Sequence, residues 1–190
     1  IESREETQLL HGFDQDRAAS RHIDRLFLGL KPPPAIVEEL ADLRDLFGAN
    51  GTVVRNEHLH LTLFLFEDRI GIAPEFLPAL TATLDGFRSG RFRILLDQLS
   101  IKRNIVVRPS GPLPPLLAFQ RELAELTARA GFPKMHDQPF SPHVSLCRGC
   151  QAMELRPSVL PMSWIVEEFA LIHSFVGLTR HETLASWALV

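Results

Sequence analysis

The chain has 190 residues, of which 45% are hydrophobic and 23% are charged, and its formal net charge at pH 7 is −3. This composition predicts a globular protein with one large domain, or two small lobes that share a core, and no apolar run is long enough to span a membrane. A slightly negative chain is not expected to coat long nucleic acids by electrostatics, although a small anion or one RNA end needs only a local basic patch.

The first half of the chain predicts three strands and two helices after a polar arm. Residues 1–20 are mostly polar and form the predicted arm, and residues 21–190 are predicted to form a single bilobal domain. Proline suits the first turn of a helix, and Ile36, Leu40 and Leu43 recur at helical spacing. The predicted elements are a strand at 25–30, a helix from Pro32–Pro34 to Gly48, a short strand at 52–55, a strand at 59–66 and a helix at 74–85.

The second half repeats the order of strand, helix and strand, which indicates a structural duplication. Strands mixed with a few helices and joined by short connections are typical of the α+β class. We therefore predict a bilobal duplicated α+β fold in which antiparallel sheets line a central groove and the helices lie outside. The predicted elements are strands at 91–99, 105–108, 140–147, 165–175 and 183–190, and a helix at 112–130.

Two short segments carry the functional signal: His60-Leu61-Thr62-Leu63 and His143-Val144-Ser145-Leu146. Each is an apolar run with a histidine and a hydroxyl residue two positions apart. Residues i and i+2 of a strand point to the same face, so each segment is predicted to present an imidazole beside a hydroxyl. Two such pairs facing each other would surround a small anion with acid/base groups and hydroxyl donors, which suits phosphate ester chemistry without a metal.

Other interpretations of these histidines have less support. A lone histidine in an apolar strand is usually a hydrogen-bonded structural residue, but two matching motifs are more specific. His58 and His60 form a His-x-His pair of the kind found in metal-dependent hydrolases, but the remaining candidates, His136, Asp137 and His173, lack paired spacing. We therefore predict no metal site and no cofactor. Ordinary surface positions are expected for His11, His22 and His181.

The only two cysteines form the segment Cys147-Arg148-Gly149-Cys150. A CxxC pair can be redox-active or half of a zinc site, but this pair ends a predicted strand and has no second pair. We expect Cys147 to close the strand as a small apolar residue and Cys150 to be an ordinary loop residue. Two thiols without a disulfide framework, after an arm that lacks the apolar core of a signal peptide, predict a cytoplasmic protein.

The paired motifs resemble those of the 2H phosphoesterase superfamily, and within it the RNA 2′,3′-cyclic phosphodiesterases, also called the bacterial 2′-5′ RNA ligase family. The resemblance extends over residues 22–190. It departs from the family pattern where Leu65-Phe66-Glu67 replaces the usual aromatic residue and glycine, and where Ser145 replaces the commoner threonine. The resembling segments are 25–33 (RLFLGLKPP, first strand and start of the first helix), 57–63 (EHLHLTL) and 140–148 (FSPHVSLCR), the two signatures, and 182–187 (ETLASW, closing strand).

This resemblance implies a role for each motif residue. His60 is implied as general acid and His143 as general base, while Thr62 and Ser145 donate hydrogen bonds to phosphoryl oxygens. The residues alone leave open which histidine is the acid. Arg148, directly after the second motif, is implied to hold a phosphate or to stack on a base. Further substrate-binding candidates are His58, Phe64 and Phe140.

The function implied by the resemblance is hydrolysis of RNA 2′,3′-cyclic phosphate ends to a phosphomonoester, the 2′ one by analogy, with 2′-5′ RNA ligation as a minor activity. Two alternatives remain open. One is a module that binds nucleotides or RNA ends without turnover. The other is a small-molecule cyclic phosphodiesterase that acts on ADP-ribose cyclic phosphate or a cyclic nucleotide. The expected partners are RNA 2′,3′-cyclic phosphate ends or small cyclic nucleotides, and a monomer is expected.

Overall fold

The computed structural model describes residues 22–47, 51–132, 134–135, 139–150 and 158–190. None of the helices in these ranges is both long enough and apolar enough to cross a lipid bilayer. The predicted arm at 1–20 lies outside the described residues, as do Gly48, His136 and Asp137.

Three α-helices, one 3₁₀ helix and ten strands follow one another along the described chain. Prolines occupy the first turn of α1 and of α3, as expected for a residue that lacks a backbone N–H. The helices are α1 (Pro34–Asp45), α2 (Phe76–Asp85), α3 (Pro114–Arg129) and the 3₁₀ helix Asn56–His58. The strands are β1 (Ile23–Leu30), β2 (Thr52–Val53), β3 (Leu61–Leu65), β4 (Phe92–Leu96), β5 (Gln98–Ile101), β6 (Ile105–Arg108), β7 (Val144–Arg148), β8 (Met162–Val166), β9 (Glu168–Val176) and β10 (Arg180–Ala188).

One large antiparallel sheet organises the molecule, in the order β10–β9–β1–β3–β7–β6–β5, with β2 paired to β7 beside this path. Strands β4 and β8 form a separate two-stranded sheet. The two halves of the large sheet meet where Leu61 of β3 pairs with Val144 of β7. We call this β3–β7 contact the seam, and it brings together strands from the two halves of the chain.

The main core lies between one face of the large sheet and the helices. Strand β1 contributes Leu26 and Leu28, and α3 contributes Leu116 and Leu123, none of them more than 1% exposed. Full burial of such a side chain is worth about 1.5–3 kcal/mol, so this interface dominates the stability of the fold. The predicted α+β class, with antiparallel strands and outer helices, is confirmed.

Two predicted strands are each divided between the two sheets. The segment 91–99 separates into β4 and β5 at Asp97, and 165–175 separates into β8 and β9 at Glu167. The Asp97 carboxylate accepts hydrogen bonds of 2.7 Å from both the backbone N–H and the hydroxyl of Ser110, which holds the chain where it passes between sheets. Each break falls at two consecutive polar residues, Asp97-Gln98 and Glu167-Glu168, and apolar residues resume directly after them. The apolar pattern alone therefore did not reveal that the chain changes sheet.

Both motif strands begin one residue after the histidine. The ladder of β3 starts at Leu61 and that of β7 at Val144, so the prediction that His60 and His143 lie within the strands is wrong by one position. A 3₁₀ turn precedes the first motif. Pro142 precedes the second, and proline has no N–H to donate to a ladder.

A bulge in β3 changes which side chains face the core. Thr62 lies opposite Gly29 and Phe64 lies opposite Leu28, so Leu63 is an extra residue between the two pairs. Beyond the bulge Phe64 is only 2% exposed and packs in the main core. The expectation that Phe64 binds substrate is therefore not supported by its position.

Candidate active site

The four motif side chains lie together on the face of the sheet opposite the helices, at the seam. Because Leu61 pairs with Val144 in an antiparallel register, Thr62 falls opposite His143 and Ser145 falls opposite His60. Leu61 and Val144 are fully buried toward the core. The flanking side chains alternate to the other face, where all four are partly exposed, and we call the surface that they share the groove.

Both imidazoles are held in the same way. Nδ1 of His60 lies 2.6 Å from the carbonyl oxygen of His58, and Nδ1 of His143 lies 2.8 Å from the carbonyl oxygen of Ser141. A carbonyl oxygen can only accept a hydrogen bond, so each Nδ1 carries a proton and donates it. The second nitrogen, Nε2, is therefore the atom of each ring that remains available to exchange a proton.

His60 is packed among aromatic and cationic groups. Its ring lies 4.5 Å from the ring of Phe27 and 5.7 Å from that of His181. The pKa of His60 is lowered to about 4, chiefly by burial and also by the nearby His181, Arg148 and His143, while the hydrogen bond to His58 opposes the shift. His60 is therefore neutral near pH 7.

One side of the groove forms a pocket of ≈ 180 Å³ that combines basic and aromatic residues. Arg25 is paired with Asp68, and Arg55 lies 3.9 Å from Glu57. Arg148, by contrast, has no carboxylate within ion-pair distance in the described part of the chain. Its guanidinium therefore adds an unneutralised positive charge to this pocket. The residues that line this pocket include Arg25, Arg55, His58, Arg148, Phe175 and His181.

The opposite side of the groove, next to His143, holds a second pocket of ≈ 290 Å³. The turn between β5 and β6 supplies Lys102 and Arg103 to its wall, and β6 supplies Arg108. Basic side chains therefore flank the two histidines on both sides, although the net charge of the whole chain is negative.

His181 is the site residue that sequence reasoning missed. Expected to be an ordinary surface residue, it is half-buried on β10 and stacks on His58 with ring centroids 4.1 Å apart. Burial lowers its pKa to about 4, and the charges of His58, Arg148 and Lys31 add to the shift. The register that places β10 beside β9 brings His181 to the groove, and no local pattern in the sequence signals that pairing.

Two further expectations need correction. Phe140 is half-buried and packs against the main core, and it is absent from both groove pockets. Cys150 is not an ordinary loop residue, because it is 8% exposed and its sulfur lies 2.7 Å from that of Cys147. Burial raises the pKa of Cys147 to about 11, so its thiol is protonated and a poor nucleophile. The burial of Cys147 agrees with the expectation that it packs as a small apolar residue at the end of its strand.

Comparison with protein families gives a match over most of the chain. The model described as the 2′-5′ RNA ligase superfamily matches residues 32–174, which include both histidine motifs and most of the groove. A comparison with curated proteins gives no match.

Solved structures with the same fold cover most of the chain. The crystal structure of E. coli LigT complexed with 3′-AMP has a TM-score of 0.77 and 28% sequence identity, and covers 88% of this chain and 99% of that chain. A crystal structure described as a phosphoesterase has a TM-score of 0.76 and 27% identity, with 88% and 98% coverage. A crystal structure of a protein from Thermus thermophilus has a TM-score of 0.71 and 22% sequence identity, and the match covers 86% of this chain and 97% of that chain. This match supports the fold alone.

Proposed function

This chain belongs to the 2′-5′ RNA ligase superfamily, and from that premise we propose that it hydrolyses RNA 2′,3′-cyclic phosphate ends to a 2′-phosphomonoester. The observation that carries the proposal is the seam, where two imidazoles and two hydroxyls from different strands share one face of the sheet. Nothing in this chemistry requires a cofactor.

The proposed reaction uses the two imidazoles on opposite sides of the phosphorus atom. Nε2 of His143 takes a proton from water as the water oxygen attacks phosphorus. The bond from phosphorus to the ribose 3′ oxygen then breaks, and Nε2–H of His60 donates a proton to that oxygen. An in-line displacement needs these two proton transfers at opposite ends of the reacting group, and one histidine from each half of the sheet supplies them.

The hydroxyls and Arg148 are proposed to bind the phosphoryl group. Thr62 and Ser145 lie across the seam from the two histidines and donate hydrogen bonds to the non-bridging oxygens. The Arg148 guanidinium contributes a positive charge and a planar set of donors that suits phosphate. Support for a nucleotide in this groove comes from E. coli LigT, whose crystal structures include complexes with 3′-AMP, phosphate and ATP.

Protonation of His60 is proposed to depend on substrate binding. With a pKa of about 4, roughly one His60 in a thousand is protonated at pH 7. A phosphodiester anion next to the ring favours the imidazolium and opposes the effect of burial. The acid therefore forms when the substrate is bound.

The test is a direct assay of purified protein with EDTA present. The substrates are nucleoside 2′,3′-cyclic phosphates, an oligonucleotide with a 2′,3′-cyclic phosphate end, ADP-ribose cyclic phosphate and a 3′,5′-cyclic nucleotide. We expect turnover of the first two with a 2′-phosphate product. Turnover of ADP-ribose cyclic phosphate or of the 3′,5′-cyclic nucleotide alone would overturn the RNA assignment, and tight binding without turnover would make the protein a binding module.

Single substitutions test the two catalytic roles. His60→Ala and His143→Ala should each lower kcat on the order of 100-fold or more, the usual scale for a positioned acid or base. Because acid and base act in one step, the double variant should lose little more than either single variant. Circular dichroism and Tm show whether each variant remains folded. A folded His60→Ala or His143→Ala variant with wild-type kcat would exclude the mechanism.

A further inference from the structure

A second histidine cluster lies away from the groove, at the start of β1. Asp24 is 6% exposed and His173 is 8% exposed. Nε2 of His22 lies 2.9 Å from Oδ1 of Asp24, and Nε2 of His173 lies 2.8 Å from the same oxygen. Within the described residues these three form the one group whose ligand atoms of His, Cys, Asp or Glu all lie within 4.8 Å of one another.

This cluster is separate from the catalytic face of the sheet. In the β1–β9 ladder Asp24 pairs with Phe175 and Leu26 pairs with His173, and Leu26 belongs to the main core. Arg25, the next residue along β1, points to the other face and lines the groove pocket. A ligand held by His22, Asp24 and His173 would therefore lie on the opposite face of the sheet from the four motif side chains. Phe175, whose ring contacts His22 and His173, is the neighbour that it shares with the groove pocket.

The charge of Asp24 is balanced only by imidazoles in the described part of the chain, where its ion-pair partners are His22 and His173. Its second oxygen, Oδ2, accepts a hydrogen bond of 2.8 Å from the backbone N–H of Gly71, which orients the carboxylate. Among the described residues, neither a lysine nor an arginine side chain pairs with this carboxylate. A buried carboxylate whose partners are two imidazoles favours a bound cation.

We propose that His22, Asp24 and His173 bind a divalent first-row transition-metal ion, with zinc as the best match. Two imidazole nitrogens and one carboxylate oxygen are ligands that zinc prefers, and a water completes a tetrahedral set. Zinc bonds of about 2.0–2.1 Å in a tetrahedron place ligand atoms about 3.3 Å apart, only a few tenths of an ångström more than the observed separations. The hydrogen bond from the Gly71 N–H then orients the Asp24 carboxylate, which is one of the metal ligands.

The ion would connect three parts of the fold. His22 directly precedes β1, Asp24 is the second residue of that strand, and His173 belongs to β9. The backbone of Asp24 also exchanges hydrogen bonds of 2.7 and 3.0 Å with Arg69 in the segment after β3. The metal would thus stabilise the outer half of the large sheet without taking part in phosphate chemistry.

The experiment is zinc titration of the metal-free, full-length protein at pH 7.5 by calorimetry, with cobalt absorption as a probe of tetrahedral geometry. We expect one zinc per chain, and a Tm higher by roughly 5–10 °C at a free zinc concentration about 100-fold above the dissociation constant. Asp24→Asn and His173→Gln should each abolish this binding. The matched control, His58→Gln with His181→Gln, removes two groove histidines and should leave it intact.

Zinc binding that survives Asp24→Asn and His173→Gln overturns the proposal, whether or not the variant with His58→Gln and His181→Gln loses it. A second measurement covers the case in which those variants fail to fold. In the wild-type protein, zinc should protect the partly exposed His22 from modification by diethyl pyrocarbonate, while His58 and His181 stay reactive. Equal reactivity of His22 with and without zinc, as well as an absence of zinc binding, would show that the cluster is only a hydrogen-bond network.

Discussion

At the scale of single residues, the candidate site depends on how each imidazole is oriented. Both rings use Nδ1 to donate to a backbone carbonyl two residues earlier, which leaves Nε2 for chemistry. Sequence reasoning predicted which two histidines lie together but not this orientation. The hydrogen bonds form because each histidine precedes its strand rather than lying in the ladder, and strand boundaries are poorly determined by apolar pattern.

The pH dependence of the reaction tests the role of His60. In either role, titration of His60 in the free protein should give kcat/KM a limb near pH 4. The corresponding limb of kcat should lie at higher pH, since bound phosphate favours the imidazolium. Steady-state rates between pH 3.5 and 9 measure both limbs. A kcat/KM profile without a limb near pH 4 would contradict a catalytic role for His60.

Arg148 and the two cysteines occupy one short segment, and substitutions separate their roles. Arg148→Ala should lower kcat/KM about 10- to 100-fold, since a charge-assisted contact to phosphate is worth roughly 1.5–3 kcal/mol. Arg129→Ala, at the end of α3, is the matched control. Changing both Cys147 and Cys150 to Ala should leave kcat/KM near that of the wild-type protein while lowering Tm. If the cysteine variant loses turnover while Arg148→Ala leaves kcat/KM unchanged, the segment would be assigned to redox or metal chemistry.

At the scale of elements, a bulge and two changes of sheet determine which side chains of the strands are buried and which are exposed. The bulge at Leu63 sends Phe64 into the core, and its extra residue could not be located from alternation alone. The switches between sheets at Asp97 and Glu167 were missed for the same reason. By contrast, α3 was predicted well, because a long helix carries many turns of the same apolar period.

Gly51 shows how tightly β2 packs beside the site. It has φ +137, and a Cβ there would lie 2.6 Å from the Arg148 carbonyl oxygen and 2.8 Å from the Cys147 sulfur. Gly51→Ala should therefore destabilise the protein by about 2–4 kcal/mol and raise KM by displacing Arg148. Gly131→Ala is the control, since its φ is also positive but nothing lies within 4 Å, and it should cost about 1 kcal/mol. Urea unfolding and KM values measure both, and equal costs would contradict the packing argument.

At the scale of the whole molecule, the predicted fold class is confirmed, and the two motif segments meet at the seam. The long-range pairings behind His181 and the His22–Asp24–His173 cluster could not be predicted. They depend on which strands become neighbours in the sheet, and β9 lies beside β1 although the two are at opposite ends of the described chain. Local periodicity contains no information on that order.

The buried histidines make global stability depend on pH. His60 and His181 have pKa values of about 4 in the folded protein, below the value of 6.5 that is usual for an exposed imidazole. Between these values the unfolded chain binds more protons, so the free energy of unfolding should fall as pH decreases from 6.5 toward 4. Urea unfolding across this range measures the slope. A His60→Asn/His181→Asn variant should show a shallower slope, and an unchanged slope would contradict the assigned pKa values.

The seam also has a consequence for folding. Its two strands lie in opposite halves of the chain, so the imidazoles meet only after many long-range contacts have formed, and such contacts are the slow part of folding. Catalytic competence should therefore appear last during refolding, after the local helices. Recovered turnover would then report completed native topology in a way that helix content does not.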